Sequence, residues 1–197
     1  IGLISGMATV SLMDGVYTLM FRMMITDTVG HAQLHDPDYP GTRPMWETIG
    51  DADAVVADLE GLVQVEQVAP RLFGAALLGA GDLASGAQLF GVDPGREDAV
   101  TGIAARAAEG DFAAIASQRG IALGVDLAAD LEVGLGDEVV AVGQAADGST
   151  ANDLFTVVAL LETGSVALDR GGAWMALAEL QQFLALPGQV HEVVAVA

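Results

Sequence analysis

The 197-residue chain sets 27 acidic side chains against seven arginines and no lysine, a net charge of -20 with a pI near 4.1. A surface of that sign repels polyanions and anionic lipid, so nucleic acid is excluded as a partner. The absence of cysteine removes disulfides, thiol catalysis and zinc-thiolate sites.

Residues 1–13 carry no charge, and Asp14-Gly15 leads on into a methionine-rich stretch. Thirteen helical residues rise only about 20 Å, against a hydrocarbon core of about 30 Å. Residues 1–28 therefore read as the outer end of a transmembrane helix and its stalk. An N-terminal Ile fits a spanning part that lies upstream, and no basic start or small-residue cleavage site marks a signal peptide. A buried core helix is the competing reading. Met13, Met20 and Met24 share one helical face, which suits flexible packing against helices or lipid better than a copper path.

From Gly30 the pattern changes to period two: His31, Gln33 and His35 alternate with Ala32 and Leu34, and Asp36-Pro37-Asp38-Tyr39-Pro40-Gly41 supplies a turn. A helix follows over Asp51 to Leu59, with Asp51 or Asp53 as cap and Gly61 as stop, and then a strand over Val63 to Leu72. The chain closes similarly, with a strand at Trp174 to Leu177, a helix at Ala178 to Leu186 and a strand at Val190 to Val196. Between these units strands are expected at 75–78, 87–92, 121–123, 138–142 and 154–161, with helices at 97–108 and 125–131. The predicted fold class is α+β: a split βαβ, ferredoxin-like lobe from residues 29–75 and 165–197, carrying an inserted β-rich lobe over 76–164, with few contacts crossing between them.

A series of landmarks runs through this pattern in fixed order. They are Gly30 to His35 with Tyr39, Val68-Ala69-Pro70-Arg71-Leu72, Gly91-Val92-Asp93-Pro94 with Glu97, and Leu123-Gly124 with Leu127-Ala128, Leu131 and Val133-Gly134. Gly136-Asp137-Glu138-Val139, Phe155-Thr156-Val157, Glu162-Thr163-Gly164, Asp169 and the helix from Ala178 complete the series. Together they resemble the MacB-like periplasmic core domain of ABC transporter permeases, with the Gly-His-Ala-Gln-Leu-His start nearest the lipoprotein-releasing LolC and LolE type. The resemblance implies a permease subunit in the bacterial inner membrane with this domain on the periplasmic side. Its implied partners are a cytoplasmic ATP-binding subunit and a second permease copy or homologue, and its implied cargo is a lipoprotein or other amphiphile. A soluble acidic β-rich binding module is the alternative.

The residues themselves point to no catalytic centre. Without lysine there is no phosphate loop, and no serine sits in a Gly-x-Ser-x-Gly elbow. His191-Glu192 opens like a zinc-protease helix, but the fifth position is Ala195 and the segment is β-branched, which favours a strand. His31 and His35, four apart on a strand, lie about 13 Å apart, too far to share one ion. Asp36 with Asp38, and Asp51 with Asp53, read as turn and cap residues rather than calcium ligands. Catalytic, cofactor and metal residues are each expected to be none. The apolar runs Phe73 to Leu78 and Leu89-Phe90 are core or a substrate-contact surface, and no single residue in them is assigned.

Overall fold

The computed structural model describes residues 32–36, 45–117 and 119–197. The expected membrane and stalk segment 1–28, His31 and the turn residues Pro37 to Gly41 lie outside the described residues. Among those described, no helix is long and apolar enough to cross a membrane.

The strands, in chain order, are β1 (Ala32–His35), β2 (Gln67–Ala80), β3 (Leu83–Val92), β4 (Ala107–Gly110), β5 (Gly120–Gly124), β6 (Glu138–Gln144), β7 (Thr150–Leu161), β8 (Gly172–Ala176) and β9 (Glu192–Val196). The helices are α1 (Ala52–Glu60), α2 (Pro94–Thr101), α3 (Val125–Asp130), α4 (Val166–Gly171) and α5 (Leu177–Phe183), with 3-10 turns at Ile103–Arg106 and Phe112–Ala116.

The strands join in one mixed sheet, and six of them close on themselves. β2 pairs with β3, β3 with β8, β8 with β5, β5 with β7, β7 with β6, and β6 returns to β2. Period-two alternation fills the interior of this ring: Leu72, Ala76 and Leu78 of β2 meet Ala87, Leu89, Ile121, Leu123, Val139, Ala141, Phe155, Val157, Ala173 and Met175 in one buried cluster. It is a barrel narrow enough for side chains to fill. α5 adds Leu180, Phe183 and Leu184 to the same core, and α3 adds Leu127 and Ala128. The approach of α5 is close: a Cβ on Gly91 would lie 2.8 Å from Leu180 Cβ, and one on Gly143 would lie 3.2 Å from Phe183 Cε1.

Outside the ring, β9 pairs with the first part of β2, Gln67 to Arg71, and β1 pairs with β9. α1 covers this extension, packing Ala52 and Val56 against Val68, Val190 and Val193. On the opposite flank β4 pairs with β7.

The α+β class is as expected, and the first unit is a split βαβ, with β9 lying between β1 and β2. The two-lobe expectation needs correction in its detail. β8 lies in the ring between β3 and β5, and β2 runs across the expected boundary at 75/76, so the two regions share a continuous strand and are joined by strand pairing rather than by few contacts. The strand expected at 63–72 begins only at Gln67, and its remainder and the strand expected separately at 75–78 are parts of β2. The helix expected over 97–108 ends at Thr101, where Gly102 takes a left-handed φ of 67° and its N–H closes on Asp98. Asp51 occupies the N-cap position of α1 but makes no side-chain cap bond.

Replacing Gly91 with Val forces a side chain into Leu180. The expected loss is about 1–3 kcal/mol, and Leu180→Ala, which leaves a cavity, is expected to lose about 2–5 kcal/mol. Urea unfolding followed by circular dichroism measures both; wild-type midpoints for the two variants would refute the packing of α5 into the barrel.

Candidate functional site

The inner face of the β2–β3 hairpin is consumed by the barrel core, so the chemistry available to a partner lies on its outer face. There the register sets Arg71 beside Val92, Phe73 beside Phe90, Ala75 beside Gln88 and Leu77 beside Gly86. These residues floor a groove of about 1450 Å³, walled by β1 and β9 on one side and by the α2 region and residues 163–168 on the other. Its middle is aromatic. Phe90 stacks on Trp174 with ring centroids 5.1 Å apart, Phe73 meets Phe90 edge-on at 5.8 Å, and the His191 ring lies parallel to Phe73 at 6.1 Å.

One end of the groove is closed by a buried ion cluster. Arg71, only 6% exposed, forms a fork with Glu97: Nε donates to Oε2 at 2.8 Å and Nη2 to Oε1 at 2.7 Å. Its Nη1 donates to Glu192 Oε1 at 3.2 Å. The cluster therefore clamps β2, α2 and β9 together. α2 is positioned for this by its own N-terminus, where the Asp93 carboxylate accepts the Arg96 N–H at 2.9 Å and proline follows directly. Burial lowers the Arg71 pKa, but the charges and hydrogen bonds of Glu97 and Glu192 outweigh it and the net shift is upward. Burial pushes the Glu192 carboxyl up, ahead of the opposing pull of Arg71.

His191 occupies the gap where β2 changes partner. β9 pairs with β2 up to Arg71, and β6 begins at Ala76. Between them the Phe73 N–H donates to His191 Nδ1 at 3.0 Å, and His191 Nε2 lies 3.0 Å from the Met45 carbonyl. An Nδ1 that accepts from an amide carries no proton, so this geometry assigns the ring proton to Nε2, donating to Met45. Burial depresses the His191 pKa below its ordinary 6.5, only partly opposed by the Met45 contact.

The far wall is built by turn chemistry. Asp169 Oδ1 accepts the Thr163 N–H at 2.8 Å and its hydroxyl at 2.6 Å, while Arg106 donates to the Thr163 carbonyl at 2.9 Å.

Of the residues weighed in the sequence, His35 lies on the groove wall and Glu192 in the ion cluster, and Glu192 begins strand β9, with His191 immediately before it, rather than a helix. The two apolar runs divide by alternation: Phe73, Ala75, Leu77 and Phe90 face the groove, while Leu72, Ala76, Leu78 and Leu89 are core. Arg71 and Glu97 stood in the sequence only as landmarks and Trp174 only as a strand start, none with a site role. The signal for Arg71 was present, a lone charge inside an otherwise apolar strand. Among the described residues, no group of three or more His, Asp or Glu side chains is arranged to hold a metal ion.

Two outcomes follow from the cluster and the histidine. Glu97→Ala strips the fork from a buried guanidinium and is expected to cost about 3–5 kcal/mol in urea unfolding; a loss below about 1 kcal/mol would mean the pair is solvated. Because His191 is harder to protonate folded than unfolded, its contribution is complete above pH 6.5 and is lost as pH falls below that value. Glu192 works in the opposite sense, its raised pKa favouring the folded state below 4.5 and losing that contribution as pH rises from there. His191→Asn, which keeps an acceptor for Phe73, should flatten the stability loss between pH 7.5 and pH 5.5; an unchanged slope would assign the acid sensitivity elsewhere.

The family of MacB-like periplasmic core domains matches the sequence over residues 1–197. A search of curated proteins gives no match. Among solved structures, the extracellular domain of the ABC-type transporter YknZ from Gram-positive bacteria superposes with a TM-score of 0.59 at 14% identity, covering 83% of this chain and 80% of that one. The periplasmic region of MacB from Actinobacillus actinomycetemcomitans gives 0.60 at 12% identity, covering 83% and 72%. At such identities the two structures speak to the fold, and the end-to-end family match supplies the rest: this chain belongs to the MacB-like periplasmic core domain family.

Proposed function

We propose that the chain is the extracytoplasmic domain of an ABC transporter permease subunit, held at the outer face of the bacterial inner membrane by a helix ending within residues 1–28. It acts with a cytoplasmic ATP-binding subunit and a second permease copy or homologue, and it handles a lipoprotein or other amphiphilic cargo. The observation that carries this reading is the groove: its floor of Phe73 and Phe90, backed by the buried Trp174 on which Phe90 stacks, offers contact area for binding an apolar partner. The domain itself is read as non-catalytic, with hydrolysis on another chain.

The continuity of β2 bears on how ATP hydrolysis would act here. A division into a βαβ lobe (29–75 with 165–197) and an inserted lobe (76–164) stays within this reading, but its first boundary falls inside β2. A strand that runs through both regions, with β8 paired to β3 and β5, transmits displacement rather than absorbs it, so we infer that the domain moves as one body when the membrane helices shift, opening or closing against its partner copy.

Protease added to intact spheroplasts tests the placement. The full-length gene product should remain in the membrane fraction after alkaline extraction while this domain is digested from outside. Protection until the spheroplasts are lysed would contradict the placement, and release by alkali would contradict the anchor.

A further inference from the structure

We propose that the groove takes the chain of an elongated amphiphile whose head group carries no net charge, with the tail directed toward the tip of the β2–β3 hairpin. This deepens the transport reading and rests on it for the role of the ligand as cargo.

The direction follows from a polarity gradient along the floor. At one end stand Arg71, Glu97, Glu192 and Thr101; six residues along β2, about 20 Å away, stands Leu77, flanked by Val142 on β6 and Gly86 on β3. The aromatic rings lie between the two ends. Leu77 is 52% exposed and Val142 39% exposed, and the register continues the apolar surface past them, because Val142 follows Val140 on β6 and Val140 is paired with Leu154. A tail leaving the groove therefore meets more apolar surface before it meets water.

The head-group charge follows from the lining. Two arginines and two glutamates line the groove, so with neutral histidines it is charge-balanced, and the whole net charge of -20 is carried elsewhere. An anionic head would be repelled by the surrounding surface. A cationic head would be drawn to that surface and gain nothing by entering the groove. Gln33, Gln88 and Ser165 offer neutral hydrogen bonds instead, the hydroxyls of Thr101 and Thr163 being committed to the Glu97 carbonyl and to Asp169.

The shape favours a chain over a compact ligand or an added peptide strand. The space exceeds the roughly 300–1,000 Å³ usual for a drug-sized ligand. A peptide binding by strand addition needs free backbone edges; on the groove floor β2 and β3 are paired with each other from Arg71 to Ala80, the Phe73 N–H in the gap of β2 is taken by His191, and the outer edge of β3 is open only over residues 83–87, beyond its pairing with β8. What the floor presents is side-chain surface.

The chain contains two tryptophans, and Trp46 is the exposed one, so Trp46→Phe in the 197-residue protein leaves Trp174, buried and stacked against Phe90 of the floor, as the reporter. Dodecyl maltoside and dodecylphosphocholine, each titrated below its micellar concentration, are expected to give a saturable change in Trp174 emission. Gly86→Leu adds a side chain where nothing lies within 4 Å of the new Cβ, and Ala75→Leu fills the neighbouring exposed position. Each should weaken binding at least tenfold without lowering the melting temperature, whereas Val63→Ser on a distant loop should leave it unchanged. The proposal is overturned if neither probe saturates, or if both filled variants bind like wild type. It is equally overturned if dodecyl sulfate or dodecyltrimethylammonium binds more tightly than the maltoside in a way that Gly86→Leu abolishes. Failure here would leave the spheroplast result standing, so the loss of this site and the loss of the membrane placement are separable.

Discussion

The structure depends on how one strand satisfies its backbone. β2 is paired with β3 on one side throughout Arg71 to Ala80, but on the other side it serves β9 first and β6 afterwards. Buried amides left without partners are costly, so a strand that changes neighbours must fill the gap. Here the ring of His191 does so, accepting from Phe73 N–H and anchoring to Met45. The six-stranded ring can therefore close on β6 while β9 and β1 extend the sheet in another direction, and the groove forms on the outer face of the shared hairpin.

The charged residues of the groove are organised around the same strand. Arg71 lies two residues before Phe73 and faces the same side, and its fork to Glu97 brings α2 down over one end of the floor. Buried ion pairs of this kind add little net stability compared with apolar packing, but they penalise alternative arrangements heavily, because any slip strands a charge. We read the cluster as fixing register: moving β2 by one residue would carry Arg71 into the barrel and Leu72 out of it. The groove is thus held at its polar end by ions, at its open side by a histidine, and underneath by a close-packed core.

Much of this was legible in the sequence at the level of elements. Alternation identified β1 and the first part of β2, short apolar runs identified the closing strands, β6 and β7, and glycines and prolines marked most of the turns. The order of the landmarks gave the family correctly, and several of them prove to be caps and joints: Asp93-Pro94 starts α2, Asp137 accepts the Gly134 N–H at 2.8 Å, and Thr163 bonds to Asp169. Ring closure was not legible, because it is a property of long-range pairing. Nothing local in Gly172 to Ala176 says that this strand inserts beside β3 and β5 rather than beside β9. β2 was divided in two because Gly74 interrupts its apolar run, and only the approach of Leu184, whose Cδ1 would lie 3.0 Å from a Cβ at that position, explains the glycine. The groove was half visible. Phe73 and Phe90 were noticed as apolar residues, but which of them faced outward depended on the register of the hairpin, and Trp174 reaches them from a strand more than eighty positions away.

The central physical claim is that the groove floor stands only while the open stretch of β2 is held by His191. Amide hydrogen exchange at Phe73, read by NMR at pH 7.5, tests it most directly. In the wild-type chain this amide should exchange only through global unfolding, at the rate of the slowest β2 amides. In His191→Ala it should exchange at least a hundredfold faster, while amides inside the barrel such as Leu123 stay protected. Rapid exchange at Phe73 in the wild-type protein, or equal protection with and without the histidine, would contradict the account.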